Sequence, residues 1–195
     1  MDITSYLLGK NSSGGGGGGS DLDWSAIGFN GRPLSIKEGY DYAVEIMNNW
    51  VVPISMSVKF KDNLKLMFMP KVDIGSGTSM LQTFYGCKNL TSVAPLDTSN
   101  ITNINTAFMN CYSLRDVPIF DTSKITTMVN TFASCYVLTD TSLDNILQMC
   151  INATSYTGTK TLKNIGFYSE YQTASRIQAL PHYQAFLDAG WTIGY

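Results

Sequence analysis

Three phenylalanines and three cysteines recur along this chain with a fixed 24-residue spacing. A leucine follows each cysteine, so a Phe-x-x-Cys-x-x-Leu pattern occurs three times. The residues are Phe84, Cys87, Leu90, Phe108, Cys111, Leu114, Phe132, Cys135 and Leu138. A period of this length is typical of one structural unit stacked on copies of itself. The pattern predicts a stacked repeat core, and it favours a function that a repeated surface performs, usually the binding of another molecule.

The pattern extends in both directions to four units, residues 53–76, 77–100, 101–124 and 125–148. The two outer units keep it less completely, as expected where a terminal repeat has to cover an open core. The chain is therefore predicted to contain an α/β solenoid of about four turns.

The Phe, Cys and Leu of each unit, which are predicted to point inward, are three residues apart. This spacing fits neither a long strand nor a regular helix alone. It favours a turn built from a short strand, a tight corner and a 3₁₀ or short helical segment. The strands are predicted near Leu90–Val93 and Leu114–Pro118. In the last unit, the inward position equivalent to Val117 falls on Thr141.

Residues 107–128, AFMNCYSLRDVPIFDTSKITTM, carry the pattern in full. This segment resembles the BspA-like class of bacterial leucine-rich surface repeats, in which a Phe-x-x-Cys-x-x-Leu core precedes Asp-Thr-Ser. The resemblance covers residues 77–141 well and 53–76 weakly. It implies a leucine-rich repeat solenoid over residues 53–148, with mixed α/β caps on either side.

Residues 1–20 divide into an apolar head and a glycine-rich linker. The head, residues 1–10, is too short to fold alone and is predicted to anchor the chain by burying apolar side chains in a partner. Those side chains are Ile3, Tyr6, Leu7 and Leu8. Residues 11–20, NSSGGGGGGS, are predicted to be a flexible tether. Engineered fusions also use linkers of this composition.

Each end of the repeat region carries signals for a cap. In the N-terminal cap, residues 21–52, Ser35 and Glu38 form a capping-box pattern. A helix is predicted from Ile36 to about Asn49, and its apolar face is predicted to comprise Ile36, Tyr40, Ala43, Val44 and Met47. On the C-terminal side, Ser142 is predicted to cap a helix with Cys150 on its inner face.

The C-terminal cap, residues 149–195, is predicted to continue with a short strand, a helix ending before Pro181, a helix over 182–189 and a final strand in WTIGY. The segments LDNILQMCINAT and HYQAFLDAGWTIGY are similar to the tail of virion-associated repeat proteins of gut bacteriophages. The opening MDITSYLLGK resembles the start of structural proteins of the same phages. These resemblances imply a virion structural protein, such as a tail fibre, head fibre or baseplate component.

Composition narrows the classes of function. The formal charge is −2, the pI is about 5.2, and charged residues make up 14% of the chain. No basic patch supports nucleic-acid binding, and no apolar run is long enough to insert in a membrane. The 11 tyrosines favour an adhesive or assembled surface, although a small solenoid also needs aromatic residues in its core. Residues 1–10 do not resemble a secretory signal, so the repeats are expected to reach an exposed surface by a means other than ordinary secretion.

The sequence offers little that is typical of an enzyme. The single histidine, His182, has no neighbouring catalytic motif and is predicted to be a surface or hinge residue. No phosphate loop, nucleophile elbow or metalloprotease motif occurs. The periodic cysteines are predicted to be structural thiols, with disulfides or a metal as the alternative. No catalytic residue, cofactor or metal is therefore predicted.

Two further columns keep the 24-residue spacing. Asp73, Asp97 and Asp121, with Asn145 in the fourth unit, are predicted to cap backbone N–H groups at corners, with calcium binding as the alternative. A second column, Lys88, Tyr112 and Tyr136, follows the cysteines and is predicted to point outward. It is a possible binding stripe, since Tyr gives a large contact area at low entropy cost. Ordinary packing at the rim of the core is the alternative.

The leading hypothesis is a phage virion protein. Its head peptide is anchored in other tail, baseplate or capsid proteins, and its repeats are displayed to a host-surface glycan or protein. The alternative is a bacterial cell-surface or secreted adhesion module.

Overall fold

The computed structural model describes residues 35–163 and 174–194. The predicted anchor, the linker and the first part of the N-terminal cap lie outside the described residues. The elements are α1 (Ile36–Asn48), β1 (Phe68–Met69), β2 (Ser92–Val93), α2 (Asp140–Asn152), β3 (Thr161–Lys163), α3 (Ala174–Gln178), α4 (Tyr183–Asp188) and β4 (Thr192–Gly194). Strand β1 pairs with β2 in parallel, and β3 pairs with β4 in parallel.

Four tight segments, here called arcs 1 to 4, lie at residues 56–63, 80–87, 104–111 and 128–135. Within an arc, alternate N–H groups bond to the carbonyl three residues earlier. In arc 2, for example, Thr83 N–H donates to Met80 O and Tyr85 N–H donates to Gln82 O. The N–H groups in between point out of the arc and are free to bond to a neighbouring segment.

Those outward N–H groups join each arc to the next. Phe84 N–H in arc 2, for example, donates to Ala107 O in arc 3. Three such bonds link each successive pair of arcs, and the nine N···O distances run from 2.7 to 3.1 Å. Because every donor lies one arc before its acceptor, the arcs are stacked in chain order.

Two positions in every arc have a left-handed backbone. The first column is Val58, Gln82, Thr106 and Asn130, with φ between 49° and 55°, and the second is Asp62, Gly86, Asn110 and Ser134, with φ between 57° and 70°. These positions donate the first and last of the three bonds that link arc 1 to arc 2, arc 2 to arc 3 and arc 3 to arc 4. Only one of the eight residues is glycine, so most of them carry a side chain in a conformation that L-residues adopt at a cost.

The nine periodic residues of the predicted core are all interior, and each exposes 2% of its surface or less. The rings of Phe84 and Phe108 stack with centroids 5.0 Å apart, and those of Phe108 and Phe132 with centroids 5.2 Å apart. Phe60 and Trp50 extend the ring column at its N-terminal end. The column is therefore a continuous apolar axis through the four arcs.

The strands are shorter than the sequence predicts. Only Ser92–Val93 is strand within the predicted Leu90–Val93, and the predicted strand at Leu114–Pro118 is reduced to one bridge, between Ser92 and Asp116. Val117 N–H donates instead to Ser142 Oγ, and a proline, which has no N–H, follows it. Pairing in this turn therefore ends at Asp116.

Helix α1 begins where the capping box predicts, since Ser35 Oγ accepts from Glu38 N–H and Glu38 Oε2 accepts from Ser35 N–H. Its predicted apolar face is wrong in part. Ile36 is 74% exposed, while the buried positions are Gly39, Ala43 and Ile46. Gly39 lies so close to Met67 that a Cβ atom there would clash with it. Because of this close approach, the helix buries the face that carries Gly39, Ala43 and Ile46, and not the predicted apolar face.

Helix α2 begins earlier than predicted. Its N-cap is Thr139, whose Oγ1 accepts from Ser142 N–H, so Ser142 lies inside the helix. The predicted inward position, Thr141, is exposed, and Ser142 is buried instead because its hydroxyl accepts from Val117 N–H. Helix formation thus replaces the last part of the fourth repeat. Cys150 lies on the buried face of α2, as predicted.

We expect Thr106→Gly to raise the free energy of unfolding by about 0.5–1 kcal/mol. Thr106 is β-branched with φ at 49°, a conformation that costs an L-residue about 1–2 kcal/mol, and glycine avoids this cost at the expense of some unfolded-state entropy. Val129→Gly is the matched control, because Val129 is half exposed and lies outside the left-handed columns. Chemical denaturation measures both, and a loss of stability in Thr106→Gly equal to that of the control would contradict the strain argument.

Candidate interaction surface

The column Lys88, Tyr112 and Tyr136 lies at the surface, and all three side chains are half-buried. The ammonium of Lys88 lies 5.7 Å from the centroid of the Tyr112 ring, and the rings of Tyr112 and Tyr136 stack with centroids 5.5 Å apart. The structure therefore brings all three predicted residues together as one continuous stripe across successive repeats.

Both faces of the Tyr112 ring are occupied within the stripe, one by Lys88 and the other by Tyr136. A ligand that binds by stacking on a ring face, as a sugar does with its apolar side, therefore cannot reach either face of the Tyr112 ring. Ring edges and phenol hydroxyls remain to be contacted. Partial burial raises the pKa of the Tyr112 phenol, and the neighbouring phenols of Tyr136 and Tyr85 raise it further. Tyr112 is therefore a neutral hydrogen-bonding group at physiological pH.

The periodic thiols have a specific structural role beyond filling space. Sγ of Cys87, Cys111 and Cys135 donates to the carbonyl oxygen of Phe60, Phe84 and Phe108 respectively, at 3.0–3.2 Å, in the preceding repeat. Burial raises the pKa of Cys87 to about 12 and those of the other two thiols well above their usual value, so the thiols keep the proton that they donate. All four cysteines are buried thiols that form no disulfide.

The aspartate column contacts backbone at the corners. Asp97 Oδ1 accepts from Ser99 N–H and Ser99 Oγ, and Asp121 Oδ1 makes the same two bonds with Ser123. These serine bonds hold the pKa of both carboxyls below the ordinary value. Since the folded-state pKa is depressed, the stabilisation is present at neutral pH and is lost as the pH falls through the acid range.

The other two members of this column have different partners. Asp73 Oδ1 accepts from Gly75 N–H, and Asn145, which lies in α2, donates to Val117 O. Within residues 35–163 and 174–194, no group of three or more His, Cys, Asp or Glu side chains is arranged to hold a metal ion. The calcium alternative has no supporting cluster in that part of the chain.

His182 has a partner that the sequence does not indicate. Its Nδ1 lies 2.7 Å from Asp144 Oδ2, and its backbone N–H donates to Asp144 Oδ1. Asp144 lies on α2, far earlier in the chain. Arg176 makes a parallel link, donating to Leu138 O and pairing with Asp140. These contacts bind α3 and the start of α4 to α2, which is a structural role.

Sequence reasoning missed the arrangement at the N-terminal end of the ring column. Trp50 stacks on Phe60, its Nε1 donates to Asp73 O at 2.7 Å, and Lys59 lies 5.5 Å from the Trp50 ring centroid. Lys61 lies similarly over Tyr85, at 5.2 Å. The only available signal was that an aromatic residue precedes the first repeat. The predicted anchor residues Ile3, Tyr6, Leu7 and Leu8 lie outside the described residues.

One cleft, of about 290 Å³, lies beside α1 and is lined by Glu38, Asp41, Tyr42, Glu45 and Lys65. Glu38 already bonds to Ser35, and Asp41 pairs with Lys37. The cleft therefore offers few groups for binding a ligand, because two of its three carboxylates already bond to other residues of the chain. Among the described residues, no helix is long and apolar enough to cross a membrane.

The geometry defines a repeat protein in which hydrogen-bonded units, each one sequence period long, are stacked around one aromatic column. A family model described as "Mycoplasma protein of unknown function, DUF285" matches residues 55–164. The match covers more than half of the 195 residues, and the chain belongs to this family. No curated protein and no solved structure matches the chain.

Proposed function

We propose that residues 53–148 form a BspA-like leucine-rich repeat solenoid with caps at both ends. The nine inter-arc hydrogen bonds and the column of phenylalanine rings support this classification, since both repeat with the sequence period. In such an architecture each unit contacts only its neighbours, and equivalent surface positions form columns along the stack.

We further propose that the protein is a phage virion component whose repeat domain binds another molecule. The observation that carries the binding role is the surface stripe of Lys88, Tyr112 and Tyr136, which is continuous over successive repeats. Because the faces of Tyr112 are covered, the stripe fits a protein or polar glycan edge that accepts and donates hydrogen bonds. The virion role rests on the sequence alone, through the apolar head, the glycine linker and the resemblances of the two ends.

A bacterial cell-surface or secreted adhesion module is the second candidate. Membership of a family described from Mycoplasma favours it, because that description names a cellular organism. Both candidates use the repeat surface for binding. They differ in whether the protein is part of a phage particle or is displayed or secreted by a bacterial cell. In neither case does the chemistry of the described residues suggest catalysis.

We expect deletion of residues 1–10 to leave a folded protein that no longer co-sediments with particles. Burial of Ile3, Tyr6, Leu7 and Leu8 would contribute roughly 1.5–3 kcal/mol for each side chain, from which the cost of ordering the peptide is subtracted. Density-gradient fractions from cultures that make the full-length or the truncated chain are compared by mass spectrometry, and thermal melting checks that both are folded.

Two outcomes separate the candidates. Equal incorporation of the truncated chain into particles would contradict the anchor. Recovery of the full-length chain from the surface of particle-free cells, by protease shaving, would contradict the virion role and favour the adhesion module.

A further inference from the structure

Two tyrosine rings at the surface of the stack are in direct contact. Tyr112 and Tyr136 stack with centroids 5.5 Å apart and an interplanar angle of 25°. They occupy the same position in consecutive repeats, so the two side chains leave the stack side by side. Burial raises the pKa of Tyr112, and the phenol of Tyr136 raises it further, which indicates that the two hydroxyl ends are close. The ring carbons beside the hydroxyls are therefore near each other.

Other tyrosine rings in the described part of the chain contact different ring types. Tyr156 stacks on Trp191, and Tyr183 stacks on Phe186. Among the described residues, the pair in the stripe is thus the one place where two phenol rings stack. A contact of this kind matters chemically, because phenoxyl radicals couple to each other through the ring carbons beside oxygen.

The surroundings of the pair favour coupling within one chain. Both rings are half-buried, so each is partly open to solvent. The second face of the Tyr112 ring is covered by the ammonium of Lys88, 5.7 Å from the ring centroid. A tyrosine of a second molecule therefore cannot stack on that face, and the Tyr136 ring is the phenol within reach.

The thiols beneath the pair do not compete for a surface oxidant. Cys111 and Cys135, which precede the two tyrosines by one residue, have no exposed surface. Burial also raises the pKa of both thiols well above the ordinary value, so they carry no reactive thiolate. The cysteines form no disulfide, so a bond between the tyrosines would be a covalent link between repeats that the thiols do not provide.

We propose that Tyr112 and Tyr136 form an oxidative modification site, at which a one-electron oxidant of the heme peroxidase class joins the two rings by a carbon–carbon bond. The bond connects the third and fourth repeats across one 24-residue period. It stabilises the stack by restricting the unfolded chain, as a disulfide does. This site goes beyond the proposed binding role and does not depend on it.

The reaction takes two electrons from the pair. Each phenol gives one electron and one proton to the oxidant and becomes a phenoxyl radical. The radicals couple through one ring carbon beside each oxygen, and the hydrogen atoms on those carbons move to the oxygens, which restores both phenols. One molecule of hydrogen peroxide, the terminal oxidant of the peroxidase, accepts the two electrons and two protons and becomes two molecules of water.

The test treats the purified full chain, at low concentration, with a heme peroxidase and hydrogen peroxide. Trypsin cleaves after Lys and Arg, so Tyr112 falls in peptide 89–115 and Tyr136 falls in peptide 125–160. We expect mass spectrometry to recover these two peptides joined, with the loss of two hydrogen atoms. Peptide 125–160 also contains Tyr156, and fragment ions show which tyrosine carries the bond.

Matched variants locate the site. Tyr112→Phe and Tyr136→Phe each keep a ring in the stack but remove one phenol, so both should abolish the joined peptide and leave the protein folded. Tyr85→Phe is the control and should retain it, because the half-buried Tyr85 ring lies under the ammonium of Lys61. Oxidation should raise the melting temperature by about 5–10 °C relative to the two stripe variants treated in the same way.

Three results would overturn the proposal. The first is the absence of the joined peptide from a folded, oxidised protein, and the second is a joined peptide that persists in Tyr112→Phe or Tyr136→Phe. The third is a bond found only between two chains, whose yield rises with protein concentration. An unchanged melting temperature in the fully joined protein would contradict the stabilising role of the bond.

Discussion

Phe108→Ala is expected to lower the free energy of unfolding by about 3–5 kcal/mol, the usual cost of removing a fully buried phenylalanine ring. Phe108 is 1% exposed, and its ring stacks on Phe84, Phe120 and Phe132 with centroid distances of 5.0, 5.9 and 5.2 Å. The substitution leaves a cavity in the middle of the ring column, where rigid backbone on both sides prevents collapse. At about 2–4 °C per kcal/mol for a chain of this size, the melting temperature should fall by roughly 10 °C.

Ile119→Ala is the matched control, because Ile119 is also a large apolar residue of the third repeat but is 47% exposed. Its loss should cost about 0.5 kcal/mol or less. Urea denaturation followed by circular dichroism measures both variants. A loss below about 1 kcal/mol in Phe108→Ala would mean that the ring column does not support the fold.

Deletion of residues 101–124, one whole unit, is expected to give a shorter protein that still unfolds cooperatively. Ile125 then follows Asn100 and takes the position of Ile101, and arc 2 meets arc 4 in the register that arc 3 had. The stack loses one set of inter-arc bonds and the rings of Phe108 and Phe120, so stability falls, but each remaining group finds an equivalent partner.

Deletion of residues 101–122 is the control, since it is two residues shorter than the period. Every inter-arc hydrogen bond at the junction is then out of register, and Phe84 no longer lies over Phe132. We expect this variant to show no cooperative unfolding transition by calorimetry and to bind hydrophobic dyes. Equal behaviour of the two deletions would contradict the solenoid proposal, because only a stacked repeat distinguishes them.

The burial of the core was predictable from sequence because each unit meets copies of itself. A residue at the same place in every unit has the same neighbours, so Phe108 and Cys111 recur where an interior ring and a small side chain are needed. The start of α1 was predictable for a different reason. Ser35 and Glu38 bond to backbone only three residues away, so the signal is entirely local.

The sequence predicted which residues form the candidate binding stripe, but it did not predict the contacts among them. The 24-residue spacing put Lys88, Tyr112 and Tyr136 in one column, but it did not indicate that the ammonium and the rings stack on each other. That packing covers the faces of Tyr112 and changes the chemistry that the stripe offers. The anchor residues in the head stay a prediction.

Other features depended on contacts that no local pattern records. Val58, Gln82 and Thr106 all have a left-handed backbone although none of these residue types favours it, and the N–H group of each donates to the next arc. The turn of α1 toward Met67 follows from the close packing of Gly39, and not from the distribution of its apolar residues.

The sequence alone therefore determined the period, the burial of the nine periodic Phe, Cys and Leu residues and the local helix start, since these depend on neighbours within one unit or on its exact repetition. The tertiary structure decided the partners that lie far apart in the chain. It pairs His182 with Asp144 and stacks Trp50 on Phe60 at the N-terminal end of the ring column. It also leaves the carbonyls of Ser57, Lys59 and Lys61 in arc 1 without a donor among the described residues. These outcomes depend on where the stack begins and ends, and a repeated sequence pattern describes the interior of a stack better than its ends.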